Sequence, residues 1–174
     1  AGRPVKALNL FAYTGGATLA AAAAGAHVTH VDASKGMVTW AKENAVSSGL
    51  NDAPIRWLVD DCVKFVEREI RRGNTYDAII MDPPSYGRGP KGEIWKIEDM
   101  IHPLIKLCTK ILSKDALFFL VNSYTTGLAP AVLTYMIATE LKPWHGQVES
   151  QEIGLPVTES GLVLPCGASG RWEC

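Results

Sequence analysis

Four short polar segments stand where buried runs of the sequence end, and each carries groups able to bind or react. In the first, Phe11-Ala12-Tyr13-Thr14-Gly15-Gly16, glycine lets a ligand come close to the backbone, and the helix that follows offers its N-terminal amides to a carboxylate or phosphate. A tight turn that needs glycine for its own sake is the equal alternative. Asp32, followed by Ala33 and Ser34, ends the second run. A carboxylate there accepts from both hydroxyls of a ribose, and the competing duty of capping the next helix is already offered by Ser34. Asp61 ends the third run and Cys62 follows it. The Asp61 carboxylate could accept from the exocyclic amine of an adenine while the Cys62 amide reaches a ring nitrogen; capping the next helix is compatible with that role. The fourth segment, Asp82-Pro83-Pro84-Ser85-Tyr86, is the sharpest. Two prolines after a buried strand neither continue a sheet nor begin an ordinary helix, so they set a rigid turn. That turn presents main-chain carbonyls, the Asp82 carboxylate and the Tyr86 ring to a planar group.

The elements that must position these groups are legible as alternating short apolar runs and longer helical stretches, the pattern of βαβ units and a largely parallel sheet. Strands are expected at residues 6–11, 27–31, 55–59, 78–81 and 116–121. Helices are expected at 18–24, rich in alanine and able to pack closely on the sheet, at 34–48 behind a Ser34 cap, at 62–72, at 103–112 and at 130–141. An earlier start for the fourth helix, with a kink at Pro103, is left open. Residues 147–153 and 161–166 flank Gly, Pro and Ser residues and read as a closing antiparallel hairpin. In such a sheet ligands bind outside the carboxyl ends of the strands where strand order reverses, and right-handed crossovers bring all four polar segments to that edge.

Composition narrows the possibilities. Seventeen basic against 18 acidic residues leave a formal net charge of −1 over 174 residues, so any nucleic-acid surface is local. One domain is expected, cut from a longer protein at both ends. The longest apolar run is far too short for a membrane span, and no secretory signal is expected. Cys62, Cys108, Cys166 and Cys174 form no CxxC pair and have no histidine at zinc-finger spacing, so no metal site is expected and reduced thiols in the cytoplasm are the default. Residues 87–96 carry Arg88, Lys91 and Lys96 against Glu93, plus Trp95. Phosphate contact and stacking, or a solvated loop with Trp95 tucked into the core, are even readings.

Together the segments resemble the class I S-adenosylmethionine-dependent methyltransferases, and within them the branch of the bacterial ribosomal RNA large-subunit methyltransferases I and K/L. The resemblance rests on Asn9 through Gly16, Val31-Asp32-Ala33-Ser34, Trp40-Ala41-Lys42-Glu43-Asn44, Asp60-Asp61-Cys62 and Tyr76-Asp77 through Asp82-Pro83-Pro84, and runs from about Leu8 to Asn122. It implies a Rossmann-like fold: a mostly parallel twisted sheet, a C-terminal antiparallel hairpin, and helices on both faces. It also implies S-adenosyl-L-methionine as cofactor. Tyr13, Thr14, Gly15 and Gly16 would hold its methionine end, Asp32 the ribose, and Asp61 with Cys62 the adenine, with Phe11, Ala33, Ser34 and Asp82 also expected to contact the cofactor. Asp82, Pro83, Pro84 and Tyr86 would form the floor where an RNA base, expected to be ribosomal, meets the methyl group.

Two departures bear on the chemistry. No RNA-binding accessory domain is present in the sequence. Ser85 and Asn122-Ser123-Tyr124 stand where pyrimidine carbon-5 enzymes carry a nucleophilic cysteine, and serine without a base is too weak to replace it. Methylation of a base nitrogen is therefore expected over carbon-5 chemistry, with Cys166 the residue that would overturn it. A rival of another class, a nucleotide-binding oxidoreductase or non-catalytic Rossmann module, suits the alanine-rich helix and Asp32. It lacks the third glycine of a dinucleotide fingerprint.

Overall fold

The computed structural model describes residues 3–89 and 92–174. In chain order its elements are β1 Lys6–Leu10, α1 Gly16–Ala23, β2 His27–Asp32, α2 Lys35–Ser47, β3 Ile55–Val59, α3 Cys62–Arg72, β4 Ala78–Met81, β5 Tyr86–Arg88, β6 Ile94–Lys96, α4 Ile97–Thr109, β7 Phe118–Ser123, α5 Pro130–Glu140, β8 Gln147–Pro156 and β9 Val163–Glu173. Seven strands form one sheet in the order β3-β2-β1-β4-β7-β9-β8. The first five of these neighbours run parallel, and β9 is antiparallel to both β7 and β8. The order reverses between β1 and β4, which places the crevice for a ligand at their carboxyl ends.

Each strand's period of two divides the core between two faces. Leu8 and Leu10 of β1, with Ile79 and Met81 of β4, join Phe65, Leu104 and Ile137 from α3, α4 and α5 in the larger cluster. Ala7 and Ala78 point the other way, onto Ala22 of α1 in a smaller cluster. The small side chains of α1 let it lie close on the sheet. They also leave room there for a buried polar chain: Asn9 Nδ2 donates to Thr18 Oγ1 at 2.9 Å, and Thr18 Oγ1 meets His30 Nδ1 at 2.9 Å. His30 is fully buried, its ring stacks at 4.8 Å on Trp57, and burial lowers its pKa to about 4.

Helix ends follow local chemistry. Ser34 caps α2 by accepting from Met37 N at 3.4 Å, Asp61 caps α3 by accepting from Lys64 N at 2.9 Å, and Gly73 at φ 69° closes α3. At the amino edge of the sheet Asp77 accepts from both terminal nitrogens of Arg3, at 2.6 and 2.8 Å, from Lys6 N and from the Ser113 hydroxyl.

Several expected boundaries are corrected. β1 stops at Leu10, because Phe11 and Tyr13 take left-handed backbone, φ 53° and 48°, which turns the chain out of the sheet. The fourth helix begins at Ile97 and accommodates Pro103 in its interior. β7 starts and ends two residues later than expected. The closing hairpin is longer on both arms, and its second arm inserts between β7 and β8 as far as Glu173. In the stretch from Tyr86 to Lys96, β5 and β6 pair as a small antiparallel hairpin. Lys91 and Pro90 lie outside the described residues. No helix among the described residues is long and apolar enough to cross a membrane.

Candidate active site

A cavity of about 590 Å³ opens at the carboxyl edge, lined by residues from the ends of all five parallel strands and from the β5–β6 hairpin. Phe11 and Tyr13 follow β1, Asp32 ends β2 with Ala33 and Ser34 after it, Asp61 to Val63 open α3, Asp82 to Pro84 follow β4 and Tyr124 follows β7. Its size suits a small-molecule site. Among the described residues no group of three or more His, Cys, Asp or Glu side chains could hold a metal ion.

The Asp32 carboxylate is held from two sides. Oδ2 accepts from Tyr13 N at 2.9 Å and Oδ1 from Ser34 N at 2.8 Å. Each oxygen keeps a further lone pair toward the cavity, which is what a vicinal diol requires. The turn before α1 is fixed from below by α2: Asn44 Nδ2 donates to Thr14 O at 2.9 Å, and Gly15, at φ 91°, leaves space where a Cβ would come within 3.0 Å of that of Ala41. Those two contacts give the residues from Trp40 to Asn44 their place beside the turn. No side chain caps α1, so its first amides remain open to an anion.

Asp61 spends one carboxylate oxygen on its helix cap and still lines the cavity. Cys62 is buried. Its sulfur accepts from Phe11 N at 3.3 Å and lies 3.9 Å from Val31 O, and burial pushes its thiol up, so it packs as a thiol. Asp82 is half-buried, and burial raises its carboxyl above the usual carboxylate range. In the turn beyond it Pro83 is buried. Pro84 O accepts from Trp95 Nε1 at 2.7 Å and Ser85 O from Ile97 N at 3.1 Å, so both of these carbonyls are already taken.

Of the residues expected at the site, Phe11, Tyr13, Asp32, Ala33, Ser34, Asp61, Cys62, Asp82, Pro83 and Pro84 converge on the cavity wall. Thr14, Gly15, Gly16 and Tyr86 do not line it. Gly15 and Thr14 shape the turn beneath, and Tyr86 stands on β5, half exposed, its hydroxyl accepting from Arg88 Nε at 3.1 Å. Trp95 packs on Phe11 with ring centroids 4.9 Å apart, which favours the tucked-in reading of that residue. Arg88 lines the cavity from the same hairpin, and a Lys64–Glu93 ion pair ties the hairpin to α3. Sequence reasoning missed Tyr124 and the hairpin wall. The rule that found the other strand ends, read one residue past β7, would have found Tyr124.

Cys166 lies on β9, half-buried, its thiol 3.3 Å from Leu164 O and outside the cavity lining.

The donor set fits a nucleoside-bearing cofactor with a charged amino-acid tail: a diol acceptor, an acceptor beside a free helix-end amide, an aromatic pair, and an uncapped helix N-terminus. A family model described as S-adenosylmethionine-dependent methyltransferase matches residues 1–152. The ribosomal RNA large subunit methyltransferase K/L of Shewanella frigidimarina is 37% identical over 106 residues, 58% of this chain and 15% of that protein. The ribosomal RNA large subunit methyltransferase K of Neisseria meningitidis is 32% identical over 118 residues, 67% of this chain and 33% of that protein. The crystal structure of a SAM-dependent methyltransferase from Agrobacterium tumefaciens superposes with a TM-score of 0.93 at 44% identity, covering 99% of this chain and 57% of that one. The chain thus spans a third or less of these curated relatives and just over half of the Agrobacterium protein. The oxidoreductase reading is overturned by this agreement, and the chain belongs to the S-adenosylmethionine-dependent methyltransferase family.

Proposed function

We propose that this segment is the catalytic domain of a longer, cytoplasmic protein that methylates a base nitrogen in RNA, with S-adenosyl-L-methionine as donor. The observation that carries the reading is the placement of Asp82 and the Pro83-Pro84 turn in the same cavity as Asp32 and Asp61: a planar acceptor edge and a nucleoside site share one space. The names of the K/L and K relatives support ribosomal RNA as the acceptor.

The cofactor supplies an activated methyl group on a sulfonium and its own leaving group. The chain supplies position and charge. Asp32 and Asp61 would hold the ribose and adenine, and the open amides of α1 the carboxylate of the methionine end. Asp82 and the Pro83 carbonyl would accept from the amine of the acceptor base, so that its lone pair faces the methyl carbon. As the N–C bond forms, the nitrogen sheds a proton. A carboxylate whose affinity for protons is raised by burial suits taking it. Arg88 and Tyr86, on the hairpin at the mouth, suit a phosphate and a neighbouring base.

The test is transfer of tritiated methyl to RNA extracted from cells lacking the gene, followed by nucleoside mass analysis. Methylated N-nucleosides that disappear with Asp82→Ala support the reading. Label in carbon-5 of cytosine, together with a stable adduct to 5-fluorocytidine RNA at Cys166, would replace it with a thiolate mechanism.

A further inference from the structure

Tyr124 is the aromatic group that lines the cavity beside the acceptor-end residues Asp82, Pro83 and Pro84. The β4–β7 register sets Met81 beside Val121, so Asn122 runs abreast of Asp82 and Tyr124 follows just past the end of the neighbouring strand. Tyr124 lines the cavity with Asp82, Pro83 and Pro84, whereas Tyr86 does not. The residue is 53% exposed, which leaves its side chain accessible at the cavity wall. The backbone beneath it is clamped on three sides. Buried Ser123 accepts from Thr125 N at 3.2 Å, and the Thr125 hydroxyl bonds Ser85 Oγ at 2.7 Å, which ties this turn to the Asp82–Tyr86 turn. From the third side β9 presses in so closely at Gly167 that a Cβ there would lie 3.1 Å from Tyr124 Cα and collide with the Ser123 carbonyl. An exposed aromatic on so constrained a backbone is a preformed contact surface, held at a fixed distance from the proline turn. Burial and the nearby Asp82 carboxylate also keep its hydroxyl protonated.

We infer that Tyr124 forms the second wall of the acceptor slot: a planar base with an N–H on its edge is held between the Tyr124 ring and the Pro83-Pro84 turn, with its amine on Asp82. This rests on the reading of the acceptor as an RNA base. It assigns the stacking contact to Tyr124 in place of Tyr86, and it selects for flat, amine-bearing bases.

The experiment measures methyl transfer from S-adenosylmethionine to RNA from cells lacking the gene, for wild type, Tyr124→Leu, Tyr124→Phe and Tyr86→Leu. Loss of one base stack in Tyr124→Leu should lower kcat/KM roughly ten- to a hundredfold, with calorimetric cofactor affinity within about twofold of wild type. Tyr124→Phe, which keeps the ring, should recover most of that loss, and Tyr86→Leu should lose less than Tyr124→Leu. Ultraviolet crosslinking of the wild-type protein to the same RNA adds a readout independent of any variant's folding, and should give a nucleotide adduct on the Tyr124 peptide. A Tyr124→Leu variant as active as wild type, a larger loss at Tyr86, or adducts confined to the Tyr13 or Tyr86 peptides would overturn the assignment while leaving the RNA reading intact. A wild-type protein that labels no RNA would instead overturn both.

Discussion

At Gly15 the backbone runs at φ 91° and a Cβ would press to 3.0 Å on that of Ala41, whereas a Cβ on Gly16 would meet nothing within 4 Å. Gly15→Ala should therefore lower the melting temperature even without ligand, by strain of roughly 1–2 kcal/mol. Gly16→Ala should leave apo stability alone and act only on cofactor affinity, a difference that calorimetry and melting read separately. Asp32→Ala should weaken cofactor binding by one or two charge-assisted hydrogen bonds, each roughly 1.5–3 kcal/mol; an unchanged affinity would remove the ribose assignment. Because burial raises Asp82 and only its ionised form can take the proton that the acceptor nitrogen sheds, kcat/KM should climb with pH through a limb set above the ordinary aspartate value. That limb should vanish in Asp82→Asn. Most of these residues were legible in the sequence because a strand's last residue and the glycine after it are local signals. The reason for glycine at Gly15 was not legible, since it lies in Ala41, on another helix.

Elements divide along the same line. Parallel strands and their helices were readable because buried apolar runs and helical spacing are local, and the Ser34 and Asp61 caps marked helix starts. The β5–β6 hairpin was not, because its three-residue strands have no period to read. What fixes it is tertiary: the Phe11–Trp95 contact, the bond from Trp95 Nε1 to Pro84 O, and the Lys64–Glu93 pair. Their weights differ. Trp95→Ala, in a partly buried site, should destabilise by about 2 kcal/mol in urea unfolding and loosen the cavity wall, so that cofactor affinity falls as well. Lys64→Met should change stability far less than Trp95→Ala, because that pair is solvent-exposed and screened by salt. Pro103 was similarly ambiguous from sequence, and α4 tolerates it in a helix whose other face is buried on the sheet.

For the molecule as a whole, His30 and Asp77 are two buried groups that contribute to the response to acid. His30 binds protons less readily folded, at about 4, than unfolded, at roughly 6.5. Its neutral form therefore contributes stability that is complete above about pH 6.5 and lost as pH falls toward 4, on the order of 3 kcal/mol. Asp77 is held down to about 2, first by Arg3 and then by the Lys6 amide and Ser113 against the effect of burial. Its contribution is present above the ordinary aspartate value and lost as pH falls to 2, at most about 2 kcal/mol because Arg3 is half exposed. Acid unfolding followed by circular dichroism should show two limbs. His30→Leu should flatten the one between pH 6.5 and 4, and Asp77→Asn the lower one.

The place of β9 has a consequence in time. It lies between β7 and β8 in the sheet, yet it is synthesised after both. Until residues 163–173 have left the ribosome, β8 has no neighbour and β7 presents an open edge, with Leu133 and Ile137 of α5 waiting for the Gly170 backbone that later packs on them. The parallel half of the sheet can assemble from the emerging chain; the other half must wait for its last strand. Nascent chains arrested before Val163 should therefore protect residues 6–82 from protease and leave 118–156 open to cleavage. Chains released early should aggregate through the β7 edge, so a cell making this protein carries an exposed sheet edge for the time it takes to translate the β8–β9 hairpin.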